Sequence, residues 1–251
     1  MPQESESTVD GGWQEAVDKY YPFLIEIRRR LIWLGIWFAV FALLGFAYYE
    51  QIVTFSLQIF RLEGVNFVFT SQFQFISLAI SSAFAVAMIA TFPLVIIQIL
   101  SFLQPALRAR EFRFVLMLVP VAIIFFLAGF FYGVVVMKYV VGLFYQAALQ
   151  LDVGNLLDVS SFLSQIITTA TLMGVAFEFP IVLTALLKLK VLEYQTVSSK
   201  RPIVYFACLL FAALLPPTDV LSLALLTAPL IVLFESTLFI NKVFLRVSTE
   251  T

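Results

Sequence analysis

Long apolar segments dominate this sequence, and they restrict its possible folds more than any other feature. Six runs between residues 31 and 240 consist largely of Leu, Ile, Val, Phe and Ala. A helix needs about 20 residues to cross the roughly 30 Å hydrocarbon layer of a membrane, and most of the runs reach that length. Hydrophobic residues make up 62% of the chain and charged residues 12%, unlike a soluble domain. The sequence therefore predicts an all-α integral membrane protein with six transmembrane helices.

The predicted spans differ in length. The six are Leu31–Tyr49, Phe73–Leu103, Phe114–Leu149, Phe162–Leu187, Pro202–Leu215 and Val220–Ile240. The fifth would reach only about 21 Å as a helix, which is shorter than the hydrocarbon layer. Pro93 should kink the second span, because proline removes a backbone hydrogen bond. A short interfacial helix is predicted for Gln51–Phe60.

The N-terminal region divides into a tail and an amphipathic helix. Residues 1–12 are polar and acidic and are predicted to form a flexible cytosolic tail. From Trp13 to Leu31 apolar residues recur every three to four positions, which predicts a helix along the membrane surface. The membrane domain is expected to span residues 13–246, followed by a short cytosolic tail, 247–251.

The distribution of basic residues predicts the orientation. Six spans place both termini on one side of the membrane. Of the 15 lysines and arginines, only Arg61 and Lys138 fall on the opposite side. Short loops rich in Lys and Arg stay in the cytosol, so both termini are predicted to be cytosolic in a multi-pass protein of the cytoplasmic membrane.

The composition also excludes several kinds of chemistry. The chain has no histidine, which removes imidazole ligands and His-based acid–base catalysis. Its single cysteine, Cys208, lies in an apolar run and cannot form an internal disulfide. We therefore expect no metal, no cofactor and no enzymatic activity.

Two glutamates near the predicted cytosolic face are candidate ligand-binding residues. Glu26 and Glu111 each lie among arginines, in FLIEIRRRL and PALRAREFR. One interpretation is local charge pairing, of Glu26 with Arg29 or Arg30 and of Glu111 with Arg108, at helical spacing. The other is a receptor for a cationic peptide, because a carboxylate accepts the fork of a guanidinium. The second interpretation requires the neighbouring arginines to point away or to be paired elsewhere.

Glu178 is unusual because it lies inside the fourth predicted span. A carboxylate at the centre of a bilayer costs roughly 2.5–3.5 kcal/mol, so such a residue usually has a function or a partner. It could be hydrogen-bonded within the bundle, contact another membrane helix, or take part in a proton-linked step. Asp219, in PPTD, is a candidate N-cap of the last span.

Taken together, these motifs resemble the TatC family, the multispanning receptor subunits of the twin-arginine protein translocase. The similarity runs from about Phe23 to Phe244. The matching segments are FLIEIRRRL, QILSFLQPALRAREFRF, GVAFEFP and KRPIVYFACLLFAALLPPTDVLSLALLTAPLIVLFE. Within them the family positions correspond to Glu26, Phe102, Pro105, Glu111, Glu178, Arg201, Pro202, Asp219, Pro229 and Glu235.

The resemblance implies a function that composition cannot provide. TatC-like proteins bind the paired arginines of signal peptides on folded cargo. By position, Glu26 and Glu111 would be the receptor carboxylates, supported by Phe102 and Arg28. TatA- and TatB-like single-span partners would pack near the last two helices, and Glu178 would face them or the inserted peptide. The resemblance also implies homo- and hetero-oligomers, transport driven by the proton motive force, and no nucleic acid partner.

The sequence departs from the family pattern at four positions. Leu57 and Lys138 stand where prolines are usual, Leu223 where a glutamine is common, and Phe112 where an arginine usually follows the loop glutamate. None of these touches the two receptor acids.

Two other functions were weighed. A proton-coupled small-molecule transporter would use Glu178, but we see no internal repeat and few intramembrane polar residues. An intramembrane hydrolase would need a nucleophile with a base or a metal, and neither His nor paired intramembrane Asp is present.

Overall fold

The computed structural model describes residues 7–59, 66–68, 73–104, 107–150 and 156–243. In this part of the chain nine helices form the bundle: α1 Ser7–Ala47, α2 Tyr49–Ile59, α3 Gln74–Leu103, α4 Ala109–Gln150, α5 Val159–Ala176, α6 Phe179–Lys188, α7 Tyr194–Ser199, α8 Arg201–Ala213 and α9 Val220–Val243. Two three-residue strands, β1 Asn66–Val68 and β2 Leu156–Asp158, pair in parallel. They join the loops before α3 and α5 at one end of the bundle, a pairing that the sequence analysis did not predict.

Five segments of the described residues are long and apolar enough to cross a membrane: Ile25–Ala47, Gln74–Phe102, Ala109–Phe144, Ser161–Lys188 and Val220–Val243. The predicted fifth span forms α8, an apolar helix of 13 residues. At 1.5 Å per residue α8 is about 20 Å long, so its predicted shortness is confirmed. The predicted interfacial helix is also present, as α2.

The N-terminal region differs from its prediction. The predicted surface helix and first span form one helix of 41 residues, α1, which begins at Ser7 inside the predicted tail. From Phe23 to Leu34 the chain has no glycine or proline, so nothing in the sequence ends the helix between the two predicted segments. The predicted surface helix is therefore continuous with the first span and does not form a separate helix.

The fourth predicted span is also interrupted. Two turn residues, Phe177 and Glu178, separate α5 from α6. Pro180 lies in the first turn of α6 and cannot donate a backbone hydrogen bond to the preceding turn. Helix α6 instead starts from the carbonyl of Glu178, which accepts from the N–H groups of Ile181 and Val182, each at 3.0 Å. The predicted fourth span is thus present as the membrane segment Ser161–Lys188, and the structure adds a break in its helix at Phe177 and Glu178.

Close helix packing holds α4 against α5. A Cβ atom on Gly133 would lie 2.6 Å from the Cα of Ala170, and one on Gly129 would lie 2.5 Å from the carbonyl oxygen of Met173. Both distances are far below van der Waals contact, so the two backbones can approach this closely only because these positions carry no side chain.

The two halves of the interrupted span pack against different neighbours. Buried residues of α5 contact α3 and α4, around Leu78, Met137 and Leu163. Helix α6 instead packs on α9, where Leu183 and Leu187 meet Phe234 and Leu238. A third cluster joins α4, α5, α8 and α9 and contains Cys208, which is therefore a core side chain.

Candidate functional site

Glu26 is exposed near the start of the first membrane-spanning segment and forms an ion pair with Arg30. The Nη2 atom of Arg30 lies 2.6 Å from Oε1 of Glu26, and its Nε atom lies 3.1 Å from the same oxygen. The two residues are four apart on α1, so their side chains lie on the same helix face. Of the two predicted partners, the structure therefore selects Arg30.

Arg30 also connects α1 to α3. Its Nη1 atom donates to the backbone carbonyl of Gln98 at 2.9 Å and to Oε1 of the same residue at 3.1 Å. The guanidinium carbon lies 5.5 Å from the centre of the Phe102 ring. This distance fits a cation–π contact. The structure therefore brings two predicted site residues, Glu26 and Phe102, to one guanidinium.

Glu111 serves a local purpose that the sequence analysis did not identify. Its Oε2 atom accepts a hydrogen bond from the backbone N–H of Arg108 at 2.9 Å. Arg108 immediately precedes α4, and Glu111 is in the helix's first turn, so the contact is half of a capping box. The expected pair is thus present, but the donor is the backbone of Arg108 and not its guanidinium. The other carboxylate oxygen remains for a further contact.

Two arginines next to Glu111, Arg110 and Arg113, lie on other faces of α4. Glu111 is half-buried and shares its helix face with the buried residues Val115 and Ala122. Arg110 and Arg113 are exposed, and Arg110 lies about 100° around the helix from Glu111. Arg110 and Arg113 therefore lie on other faces of α4 than Glu111.

Other predicted site residues are not assembled with Glu26. Arg28 is exposed on α1, two positions from Glu26, and residues at this spacing do not face each other on a helix. Pro105 lies outside the described residues. Pro93 is inside α3, which continues to Leu103, and Pro229 is inside α9.

Glu178 lies at the break between α5 and α6, in the Ser161–Lys188 membrane segment. Its Oε1 atom is buried and, among the described residues, has no hydrogen-bond partner. The nearby backbone is that of α4, because a Cβ on Gly174 would lie 3.2 Å from the carbonyl oxygen of Phe126. Glu178 has one polar contact to α4, a hydrogen bond with the backbone of Phe126, while the buried Oε1 atom without a partner carries a free-energy cost.

Asp219 caps α9, as its position in PPTD predicted. Its Oδ1 atom accepts from the backbone N–H of Ser222 at 2.8 Å, and Oδ2 accepts from the Ser222 hydroxyl. Partial burial opposes ionisation of Asp219, but the hydrogen bonds from Ser222 outweigh it and hold the pKa of the carboxyl below its usual value.

A second polar cluster joins α8 to α9 and was missed by the sequence analysis. Oε1 of Glu235 lies 3.2 Å from Nε of Arg201 and accepts a 2.5 Å hydrogen bond from the Tyr205 hydroxyl. Arg201 and Glu235 had been matched separately, but the sequence does not show that they meet, since they lie on different helices. The spacing of Arg201 and Tyr205 by four residues was the available signal.

Within the described ranges, no three Asp, Glu, Cys or His side chains are close enough together to hold a metal ion. Several long apolar helices define a multi-pass membrane protein.

Comparisons with known proteins identify the family. The profile of the TatC family, described as the Sec-independent protein translocase protein, matches residues 22–229. This is most of the chain, and the protein therefore belongs to the TatC family. It is accordingly a component of the Sec-independent protein translocase, and nothing in the match points to a catalytic family or to a small-molecule transporter.

Individual relatives are similar in sequence to this chain along most of their length. The chain is 26% identical to the Sec-independent protein translocase protein TatCy of Bacillus subtilis strain 168, covering 89% of this chain and 88% of that protein. Identity to TatC of Escherichia coli K12 is 28%, covering 88% and 87%. A crystal structure described as the twin arginine translocase receptor TatC superimposes with a TM-score of 0.77 at 26% identity, covering 88% of this chain and 99% of that one.

Proposed function

We propose that this protein is the receptor that binds the paired arginines of signal peptides on folded cargo, with Glu26 and Glu111 as the acceptors. The observation that carries the proposal is the cluster of Glu26 and Phe102 around a guanidinium at the junction of α1 and α3. A carboxylate and an aromatic face are the two groups that a guanidinium binds best. The contacts that the chain's own Arg30 makes with both groups support the proposal.

Glu111 would receive the second arginine of the pair. It follows α3 by one short connection, since α3 ends at Leu103 and α4 begins at Ala109. One of its oxygens is used in the capping box and the other is available to a ligand. Arg28 supports the site only at a distance, because it lies on another face of α1.

The remaining assignments concern the membrane and the partners. The protein lies in the cytoplasmic membrane with both termini in the cytosol, as the distribution of basic residues favours. The membrane domain covers residues 13–246, with tails on either side. The protein is not an enzyme and needs no cofactor. TatA- and TatB-like partners pack along α8 and α9 in homo- and hetero-oligomers. Transport is driven by the proton motive force. Glu178 faces a partner helix or the inserted peptide.

The first experiment is site-specific photocrosslinking from probes at positions 26 and 111 to signal peptides bearing Arg-Arg or Lys-Lys. Crosslinks that depend on the arginine pair are expected from both positions. Absence of crosslinks from either probe, in correctly inserted protein, would contradict the proposal.

Mutation of Glu111 separates its two roles. Glu111→Gln keeps an oxygen for the capping box but removes the charge, and Glu111→Lys reverses the charge. Because a hydrogen bond to a charged group contributes roughly 1.5–3 kcal/mol, we expect crosslinking to the Arg-Arg peptide to fall about tenfold or more in both variants, most in Glu111→Lys. Glu193→Lys, which makes the same charge change at an exposed loop position, is the control and should leave crosslinking intact. Unchanged crosslinking in Glu111→Lys would exclude Glu111 from the site.

A further inference from the structure

Arg30 occupies the position that a bound arginine would take. Its guanidinium makes two contacts to Oε1 of Glu26, at 2.6 and 3.1 Å, and two to Gln98, at 2.9 and 3.1 Å. One side of the group lies over the Phe102 ring. Its side chain is only 20% exposed, whereas that of Glu26 is 48% exposed. A partly buried guanidinium thus faces a carboxylate that solvent can still reach.

These surroundings are specific for a guanidinium. The five N–H groups of arginine form a planar fork, and here they are shared between acceptors on two helices while an aromatic ring covers the plane. The ammonium of a lysine is a compact point charge that cannot make this set of contacts. The junction of α1 and α3 is therefore an arginine site that is already filled by a residue of the chain itself.

We propose that Arg30 is an internal stand-in for the signal-peptide arginine, which displaces it from Glu26 and Phe102 on binding. This inference rests on the function proposed above. Glu26 carries a single negative charge and cannot neutralise two guanidinium groups on the same oxygen, so the two arginines compete. The displaced Arg30 moves toward solvent beside Arg28 and Arg29, which are both exposed.

The consequence is a free-energy cost that every ligand must overcome on binding. Every ligand must first replace the contacts that Arg30 makes, so the measured affinity is weaker than the site could support. Displacement costs the same for any ligand that requires it. Arg30 therefore lowers affinity generally, while the preference for arginine over lysine comes from the shape of the acceptors.

The test is the affinity of the purified full-length protein in detergent for a fluorescent signal peptide bearing Arg-Arg. Arg30→Gln should bind this peptide about tenfold more tightly, equivalent to about 1.4 kcal/mol. Arg30→Lys should show a smaller gain, because lysine keeps the charge but makes fewer contacts. Arg29→Gln removes the same charge from an exposed neighbour and controls for the general reduction in positive charge.

Loss of the tie between α1 and α3 could unfold the Arg30 variants, and a second route avoids this. Gln98→Ala removes one of the Arg30 acceptors without changing Arg30 or Glu26, and it should also increase affinity. The gain from Arg30→Gln should disappear when Glu26 is replaced by glutamine, because the competition is for that carboxylate. A double-mutant cycle of the two residues measures this coupling.

Failure of the inference can be distinguished from failure of the proposed function. If Glu26→Gln weakens peptide binding but Arg30→Gln is no tighter than Arg29→Gln, Glu26 is a receptor residue and Arg30 is not a competitor. If Arg30→Gln weakens binding, Arg30 positions Glu26 and Phe102 and the stand-in model is wrong. If Glu26→Gln leaves binding of the Arg-Arg peptide unchanged, the proposed site itself is wrong.

Discussion

The two carboxylates near the ends of membrane segments, Glu26 and Glu111, differ from the carboxylate inside the bundle, Glu178, in the hydrogen bonds that their oxygens accept. Glu26 and Glu111 are bonded to groups three or four residues away and remain accessible. Glu178 has a buried oxygen without a partner among the described residues. Near water, an oxygen of Glu26 or Glu111 without a protein partner is hydrated at little cost, so a few local hydrogen bonds are enough to accommodate these carboxylates. In an apolar bundle the same atom carries a free-energy cost, so the unpaired oxygen of Glu178 does not stabilise the fold.

The largest effect on stability is expected from replacing Glu178. Glu178→Leu removes the unpaired buried acceptor, so the detergent-solubilised protein should gain roughly 1–3 kcal/mol in free energy of unfolding while transport in cells declines. Thermal unfolding together with an export assay measures both. Glu235→Leu is the matched control, because Glu235 has partners on α8 and its loss should destabilise the protein. Destabilisation by Glu178→Leu would mean that the contact of Glu178 with the Phe126 backbone outweighs the cost of its unpaired oxygen.

A smaller effect is expected at Asp219, a carboxylate that is partly buried but fully hydrogen-bonded. Asp219→Ala removes the cap of α9 and should lower the free energy of unfolding by about 1 kcal/mol at neutral pH. The pKa of Asp219 is lowered in the folded state, so its charge stabilises the fold above the usual carboxyl pKa of about 3.9. This contribution is lost as the pH falls through the folded-state pKa.

Asp219→Asn isolates the contribution of the charge, because asparagine can still cap the helix. The stability difference between the native protein and Asp219→Asn should shrink as the pH is lowered from about 6 to about 3. Thermal unfolding across this range is the measurement, and a difference that is independent of pH would show that the charge does not contribute.

The smallest effect on stability is expected at Glu26. Its pair with Arg30 is an exposed contact at a spacing of four residues, and such pairs contribute about 0.3–0.5 kcal/mol. Glu26→Gln should therefore change thermal stability by no more than that amount while weakening binding of the Arg-Arg peptide. A loss of stability as large as that for Asp219→Ala would assign Glu26 a structural role and remove the contrast with Glu178.

Several features of the site were predicted because they depend on local sequence. The pair of Glu26 with a following arginine, the cap at Asp219 and the short eighth helix follow from spacing and from run length. The contact between Glu111 and Arg108 was predicted, but its donor was not. The donor is the backbone N–H of Arg108 at the start of α4, and the spacing of charged residues predicts only the guanidinium.

Other features depend on which helices are neighbours, and no spacing rule provides that. The contact of Arg30 with Gln98 spans 68 positions, and the Tyr205–Glu235 bond spans 30. The close approach of α4 and α5 at Gly129 and Gly133 likewise appears only when the two helices are packed.

The sequence by itself determined the class of the protein, because hydrocarbon accepts only long apolar helices whose backbone groups are satisfied within the segment. The sequence also identified the acidic residues that are candidates for function, because charged residues are rare in an apolar chain. Tertiary structure alone decided how the two halves of the fourth span pack, with α5 held by α3 and α4 and α6 held by α9. It also decided that the Arg30 guanidinium contacts Glu26, Gln98 and Phe102, because this cluster exists only where side chains from distant positions meet.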